Sequence, residues 1–176
     1  MLFRDPAVGT FYRHDSPYTY FTSGDLHLGE ISLECSRPGA SAVALWATQK
    51  LLPLVEGGDF ARSLDRSRSA ALKIHENLRN DKRFIPGPEP ELDILVWAVL
   101  AGNVSEASER AKTLFRKAAE NDLHLATAEL PLHLFQLPES MKRDRERIVC
   151  LRSVLMKPEH EDWAGRIWEI IDKVGG

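Results

Sequence analysis

Apolar residues recur at helical spacing in three stretches of the chain. Asp59 is a good helix N-cap, Ser105 can cap a second helix that ends near Asn121, and Pro158 opens a third. In each stretch the apolar positions follow one another in steps of three or four, which is the spacing of one helical face. The three predicted inner stripes are Phe60, Leu64, Ser67, Ala71, Ile74 and Leu78; Ala107, Ala111, Leu114 and Ala118; and Trp163, Ile167, Ile170 and Val174.

Four other segments have the composition of β-strands. Residues 92–99 are β-branched and aromatic, residues 123–130 and 132–137 are separated by Pro131, and residues 148–156 form a further apolar segment. A strand, a helix, more strands and a final helix, in this order, indicate an antiparallel sheet with helices on one face. The predicted fold class is therefore α+β.

The N-terminal part of the chain has a different pattern. Residues 3–34 show no sustained helical period but are rich in aromatic residues. A stretch of this length without regular structure is unusual inside a compact domain, unless it is functional or packs on another part of a larger domain. Pro38 then opens a predicted helix of small residues that reaches about residue 52 and is ended by Pro53.

Composition and charge exclude several classes of function. The chain has 176 residues, of which 43% are hydrophobic and 28% charged, as in globular proteins. Its net charge of -3 gives no electrostatic case for binding nucleic acid or an anionic membrane. No secretory signal is visible and the apolar runs are too short to span a bilayer, so a cytoplasmic protein is expected.

Cysteine and histidine do not indicate a metal site. Cys35 and Cys150 are too few for a disulfide framework or a zinc site, and both fall in predicted strands among apolar neighbours. The histidines show no His-x-x-x-His or His-x-Glu spacing. Nucleophile-elbow, dinucleotide-binding and Walker A patterns do not occur in the sequence either.

The turn at Ser36 and Arg37 is a candidate phosphate site. It follows a predicted short strand and precedes the helix opened by Pro38. Free N–H groups in the first helical turn, a hydroxyl and a guanidinium are suitable donors to phosphate oxygens. A structural role is the alternative: Arg37 can pair with a carboxylate while Ser36 ends the strand.

This turn, with Ser16-Pro17-Tyr18-Thr19 before it and Leu151-Arg152-Ser153-Val154 near the end of the chain, resembles the group II pyridoxal-phosphate-dependent amino-acid decarboxylases. The resemblance runs to the end of the chain. It implies the C-terminal part of a fold-type I enzyme, divided into three parts. These are residues 1–37, the tail of the large cofactor-binding domain with an active-site loop; residues 38–82, connecting helices; and residues 83–176, a small α+β domain.

The resemblance also implies roles for particular residues. In this family a tyrosine on a mobile loop is thought to protonate the carbanionic carbon after carbon dioxide leaves. Tyr18 is the first candidate here, Tyr12 its rival and Tyr20 the third. The alternative is that these aromatic side chains only pack a loop. Ser36 and Arg37 would approach the cofactor phosphate from the neighbouring subunit of a homodimer. Arg152 would bind a carboxylate of the amino-acid substrate, and a structural salt bridge is its alternative.

One element of the family pattern is missing. The cofactor lysine of the family lies in a His-Lys pair ahead of a segment like Leu2-Phe3-Arg4-Asp5-Pro6, and this sequence starts at Met1. The resemblance therefore implies a C-terminal portion that is inactive alone, with pyridoxal phosphate bound in the full-length enzyme. The alternative is a non-enzymatic α+β dimerisation or interaction module descended from a decarboxylase. The substrate amino acid is left open by the sequence.

Overall fold

The computed structural model describes residues 4–12 and 39–176 of the chain. The chain divides into two compact units, Met1–Leu51 and Leu52–Gly176. In the first unit the described residues form a 3-10 helix, Pro6–Tyr12, and helix α1, Gly39–Leu51. All the other helices and strands of the described residues belong to the second unit.

Helix α1 confirms the helix predicted after Pro38. Most of its residues are alanine, leucine, glutamine or lysine, all of which favour a helix. None of its residues is buried, and Val43, Leu45 and Trp46 are each more than half exposed. The Lys50 ammonium lies 5.9 Å from the centroid of the Trp46 ring. Helix α1 therefore presents apolar side chains that no described residue buries.

The second unit is built on a four-stranded antiparallel sheet with the order β1-β2-β4-β3. Strands β2 and β4 are central. The two predicted strands richest in β-branched residues became this central pair. The strands are β1, Phe84–Pro86; β2, Ile94–Val99; β3, Ala126–Pro131; and β4, Arg147–Val154.

Three helices contribute the main core of this unit: α2, Asp59–Asn80; α3, Val104–Ala119; and α4, His160–Val174. Side chains alternate between the two faces of a strand, so Leu95, Trp97 and Val99 of β2 share one face with Leu151 of β4. These side chains form one buried cluster with residues of all three helices. The predicted α+β class, with an antiparallel sheet and helices on one face, is confirmed.

The opposite face of the sheet is covered over only part of its area. Ala98 of β2 and Cys150 of β4 form a second buried cluster there with Phe135 and Met141, which lie in the segment between β3 and β4. Elsewhere on this face Ile94 is 48% exposed, while Val96 and Ala126 are half-buried.

Two predicted helix caps were wrong. Gly58, not Asp59, is the N-cap of α2, and Asp59 is the first helical residue. Asn103, not Ser105, caps α3: its side-chain oxygen accepts the backbone N–H of Glu106 at 2.8 Å. Ser105 lies within the first turn instead. In both helices the cap precedes the predicted residue, by one position in α2 and by two in α3.

The inner stripe of α3 was right, whereas those of α2 and α4 were right only in part, since Ile167 and Ile170 of α4 are half-buried. Phe60 and Leu64 are exposed, and the buried face of α2 begins at Ser67. Trp163 is also exposed; the buried positions of α4 are Ala164, Ile171 and Val174. Trp163 is rotated by about 100° around the helix axis from its buried neighbour Ala164.

Two strand predictions also need correction. Residues 132–137 do not form a strand: Leu132–Leu134 is a 3-10 helix, and Phe135 turns back onto the sheet face. Strand β1 was not predicted, since its three residues, Phe84–Pro86, lie beside a Pro- and Gly-rich segment. The strand at the end of the chain, β4, is confirmed at residues 147–154.

Among the helices of the described residues, none has the length and apolar character needed to cross a bilayer. The described residues also contain no grouping of three or more His, Cys, Asp or Glu side chains that would suit a metal ion.

Candidate functional site

Arg152 lies on a central strand, on the sheet face opposite the helices. The register places Arg152 of β4 between Val96 of β2 and Ala126 of β3. Because paired residues of antiparallel strands share a face, these three side chains are neighbours on one surface. Leu151 and Ser153, on either side of Arg152, are buried on the helical face. Strand alternation therefore directs the Arg152 side chain away from the core.

The surface around Arg152 is apolar. Its strand neighbours Val96 and Ala126 are half-buried, and the next pair along the ladder is Ile94 with Val154. Arg152 itself is exposed, and among the described residues it takes part in no ion pair or side-chain hydrogen bond. The structural salt bridge considered from the sequence is not formed within this part of the chain. A guanidinium here can bind a carboxylate in its planar, two-pronged geometry.

The covered half of the same face contains an inert thiol. Cys150, two residues before Arg152 on the strand, is fully buried, and its Sγ donates to the carbonyl oxygen of Ala128 at 3.3 Å. Burial raises the pKa of Cys150 to about 11, so the thiol is protonated at neutral pH. Cys150 is consequently unsuited to nucleophilic or redox chemistry.

The other predicted site residues lie in the first unit or outside the described residues. Tyr18, Ser36 and Arg37 lie outside the described residues, as does Cys35. Tyr12 is the last residue of the 3-10 helix Pro6–Tyr12, in the first unit. The roles of these four site residues remain predictions.

The environment of each lysine bears on imine formation. An aldehyde cofactor forms a stable, reactive imine with an amine that is shielded from water and has a lowered pKa. Every lysine of the sequence lies in the described part of the chain, and every one is solvent-exposed. Burial therefore distinguishes none of these lysines from the others.

A cleft that sequence reasoning missed lies beside β1. It has a volume of about 850 Å³ and is lined by residues from the end of α2, from β1 and the loop after it, and from the segment after β3. His75 and Arg79, four residues apart on α2, both line it. The sequence contained one indication of this cleft: the i, i+4 spacing of the two residues, which places both side chains on one helical face.

No protein-family model matches the sequence, and no curated protein sequence is significantly similar to it. Solved structures do match. Oryza sativa TDC with PLP and tryptamine has a TM-score of 0.70 and 15% sequence identity, over 96% of this chain and 33% of that chain. Catharanthus roseus tryptophan decarboxylase in complex with L-tryptophan has a TM-score of 0.65 and 17% identity, over 97% of this chain and 33% of that one. Mouse CSAD in apo form has a TM-score of 0.56 and 15% identity, over 90% and 32% of the two chains.

What is shared is the fold. This chain spans about a third of the length of the structures that it matches. Nearly all of its own length takes part in the match to the two plant proteins. The α+β arrangement expected from the sequence is thus the arrangement of one part of these larger chains.

Proposed function

We propose that this chain is the C-terminal portion of a pyridoxal-phosphate-dependent amino-acid decarboxylase, a carbon–carbon lyase. The observation that carries the proposal is the position of Arg152, an exposed guanidinium on an otherwise apolar sheet face. The shared fold supports the proposal: this chain matches about a third of the length of each of several larger proteins, among them a tryptophan decarboxylase. The strand motif around Arg152, which resembles the family, supports it further.

In this proposal Arg152 binds a carboxylate of the amino-acid substrate. Two parallel N–H donors of a guanidinium match the two oxygens of a carboxylate, which fixes both position and orientation. Apolar neighbours such as Val96 and Ile94 reduce the competing hydration once the face is covered by substrate or by another part of the protein. Arg152 therefore acts as a binding and orienting residue.

The N-terminal residues would act in the active site of a partner subunit. Ser36 and Arg37 would contact the cofactor phosphate, and Tyr18, or Tyr12 in its place, would deliver a proton to the substrate carbon. A phenol with an ordinary pKa near 10 is a competent acid when it is held away from water. The enzyme is then a homodimer, and residues of this chain act in trans.

The cofactor's covalent anchor would lie outside this chain. Pyridoxal phosphate supplies an electron sink for the carbon that loses carbon dioxide. Since every lysine here is solvent-exposed, the proposal assigns the imine-forming lysine to another stretch of the full-length enzyme. The 176-residue chain is accordingly expected to be inactive alone.

The proposal is tested with the product of the complete reading frame that contains this chain. Carbon dioxide release is measured with pyridoxal phosphate and a panel of L-amino acids, including tryptophan and glutamate. Arg152→Gln should raise KM by at least about tenfold, because it removes a charged hydrogen-bonded pair with the substrate. Arg152→Lys should raise KM less, because it keeps the positive charge. Arg166→Gln, an exposed arginine of α4, is the matched control and should leave KM unchanged. Release from none of the amino acids, or an unchanged KM for Arg152→Gln, would overturn the proposal.

The inactivity of the chain alone has a separate test. The purified chain is mixed with pyridoxal phosphate, any imine is reduced with borohydride, and the label is located by peptide mass. We expect scattered, substoichiometric labelling of exposed lysines. A single lysine labelled at full occupancy would show that the chain builds its own cofactor site, contrary to the proposal.

A second candidate function is a non-enzymatic dimerisation or interaction module. The exposed apolar side chains of α1, including Val43, Leu45 and Trp46, favour it, and so does the exposure of every lysine. Under this candidate the decarboxylation assay is negative for every amino acid. Sedimentation would instead show a dimer of the chain that Trp46→Gln weakens.

A further inference from the structure

A histidine is buried where helix α2 borders the cleft beside β1. His75 lies on the inner face of α2, together with Ala71, Ile74 and Leu78, and is only 6% exposed. Its Nδ1 atom is inaccessible to solvent and makes no hydrogen bond to any described residue. Buried polar atoms without a partner are rare, because they lose hydration without compensation. The position of the ring therefore depends on which nitrogens carry protons.

The two protonation states of the His75 imidazole differ in how well they tolerate this position. A neutral imidazole has one N–H donor and one bare nitrogen, so the bare nitrogen can lie at the buried Nδ1 position. In the imidazolium both nitrogens carry a proton, and an N–H group of a charged ring would be buried at Nδ1 without an acceptor. The buried position therefore favours the neutral ring.

Titratable and charged groups face His75 from every element that lines the cleft. Arg79 lies one turn further along α2, and Lys82 lies just beyond the end of that helix. The loop after β1 contributes Glu89, and the segment after β3 contributes His133. Burial is the main cause that lowers the pKa of His75 from its ordinary value of 6.5; Arg79 lowers it further, and Glu89 acts in the opposite direction. Burial and the neighbouring cation thus both oppose protonation of the ring.

We propose that His75 makes the packing of α2 beside β1 sensitive to acid. When the ring takes up a proton from solvent, the imidazolium leaves its buried position and turns into the cleft, where water can reach both of its N–H groups. The cleft has a volume of about 850 Å³, which leaves room for an imidazole ring. Helix α2 then loses one of the side chains that are buried on its inner face. None of the five site residues predicted from the sequence takes part, so this inference stands independently of the proposed decarboxylase function.

The expected pH dependence has a definite direction and range. Because the pKa of His75 is lower in the folded protein, the unfolded chain binds more protons, and stability falls as the pH falls from about 6.5 towards that lower value. At pH 5.5, about one unit below the ordinary value, a single histidine can lower the folding equilibrium constant by at most about tenfold. Glu161 contributes at lower pH, because its pKa is about 2 in the folded state and ordinarily 4.5.

The test is urea denaturation of the 176-residue chain at pH 7.5 and at pH 5.5. The folding equilibrium constant of the parent should fall several-fold between the two pH values, up to the limit of about tenfold. His75→Phe and His75→Leu take up no proton at this position, and each should remove most of that fall. His133→Phe, at an exposed position of the same cleft, is the matched control and should keep the fall seen in the parent. Each protein is compared with itself, so a loss of stability common to both pH values does not affect the result.

Amide hydrogen exchange locates the structural response. After correction for the intrinsic exchange rate, amides of residues 75–80 and 86–91 should be less protected at pH 5.5 than at pH 7.5, and His75→Phe should abolish this difference. Amides of helix α3 are the internal reference and should change less. A fall in stability of the same size in the two His75 variants as in the parent would overturn the proposal. Equal loss of protection in α2 and α3 would also overturn it, because the response would then be global and not confined to the cleft.

Discussion

At the scale of single residues, the hydroxyl of Ser108 connects helix α3 to the sheet. It donates to the carbonyl oxygen of Val104 at 2.9 Å and accepts the backbone N–H of Val149 at 3.1 Å. Strands β2 and β4 are paired only from Ile94 with Val154 to Trp97 with Leu151, so β2 supplies no partner to Val149. Ser108 supplies that partner, which explains why a polar side chain is buried on the inner face of α3.

Replacing Ser108 by alanine should lower the free energy of unfolding by about 1–3 kcal/mol, since it leaves the N–H of Val149 without a partner. Urea denaturation of the two proteins measures the difference. Thr113→Ala is the control: its hydroxyl also donates to the carbonyl four residues earlier, that of Glu109, but on the exposed surface. Equal effects of the two substitutions would show that the bond between helix and strand contributes nothing.

At the scale of elements, the N-terminus of α3 is held by reciprocal hydrogen bonds. The side chain of Asn103 accepts the N–H of Glu106, and the carboxylate of Glu106 accepts the N–H of Gly102 at 3.2 Å. Ser105, the cap expected from the sequence, instead accepts a hydrogen bond from Arg145 at 2.7 Å. The start of α3 is thus determined by the loop that leaves β2.

Asn103→Ala should therefore destabilise the protein by about 1 kcal/mol, the usual cost of removing a side-chain cap. Asn103→Ser should retain most of the stability, because a hydroxyl can replace the amide oxygen as acceptor. Thermal unfolding of these variants and of Ser105→Ala provides the comparison. A larger loss of stability for Ser105→Ala than for Asn103→Ala would show that Ser105 is the cap, as the sequence predicted.

Helices α2 and α4 are connected by an ion-pair network at the start of α4. Glu161 contacts Arg66 and Lys73, each at 3.1 Å, and Arg66 also pairs with Asp162 at 2.7 Å. The hydroxyl of Ser69, with Lys73 and Arg66, lowers the pKa of Glu161 to about 2 from its ordinary value of 4.5. The charged carboxylate is thus favoured in the folded state.

This network predicts a pH-dependent effect of Glu161→Gln. A lowered pKa in the folded state stabilises the protein above pH 4.5, and this contribution is lost as the pH falls from 4.5 towards 2. The variant should unfold at lower urea concentration than the parent at pH 7, and the difference should shrink at pH 3. A difference that is the same at both pH values would assign the effect to packing instead of charge.

At the scale of the whole molecule, the buried side chains of the described residues all lie between Ser67 and Val174. They come from α2, the sheet, α3, α4 and the segment between β3 and β4, all within the second unit. This unit thus contains the core that a cooperative fold requires.

Residues 52–176 expressed alone should therefore unfold in a single cooperative transition, with coincident near- and far-ultraviolet circular dichroism curves. Residues 52–158 are the control: they lack α4 and with it Ala164, Ile171 and Val174 of the main core. That shorter chain should show no cooperative transition. The expectation is wrong if residues 52–176 also fail to show one.

Local pattern was enough to predict most elements of the fold. The apolar stripe Ser67, Ala71, Ile74 and Leu78 and the strand at residues 147–154 depend on periodicity and composition along the chain, and both were found. Strand β1 and the 3-10 helix Leu132–Leu134 were not, because each owes its conformation to contacts distant in sequence. Trp163 was expected on the inner stripe of α4 and is 54% exposed.

The candidate site shows the same division between sequence and structure. The sequence by itself determined that Arg152 lies on a strand, since residue types alone indicate that strand. Tertiary structure decided that its neighbours are Val96 and Ala126, because strand pairing brings together residues far apart in the chain. The cleft at His75 and Arg79 likewise requires α2, β1 and the segment after β3 to meet, and spacing along one helix cannot supply the opposite wall.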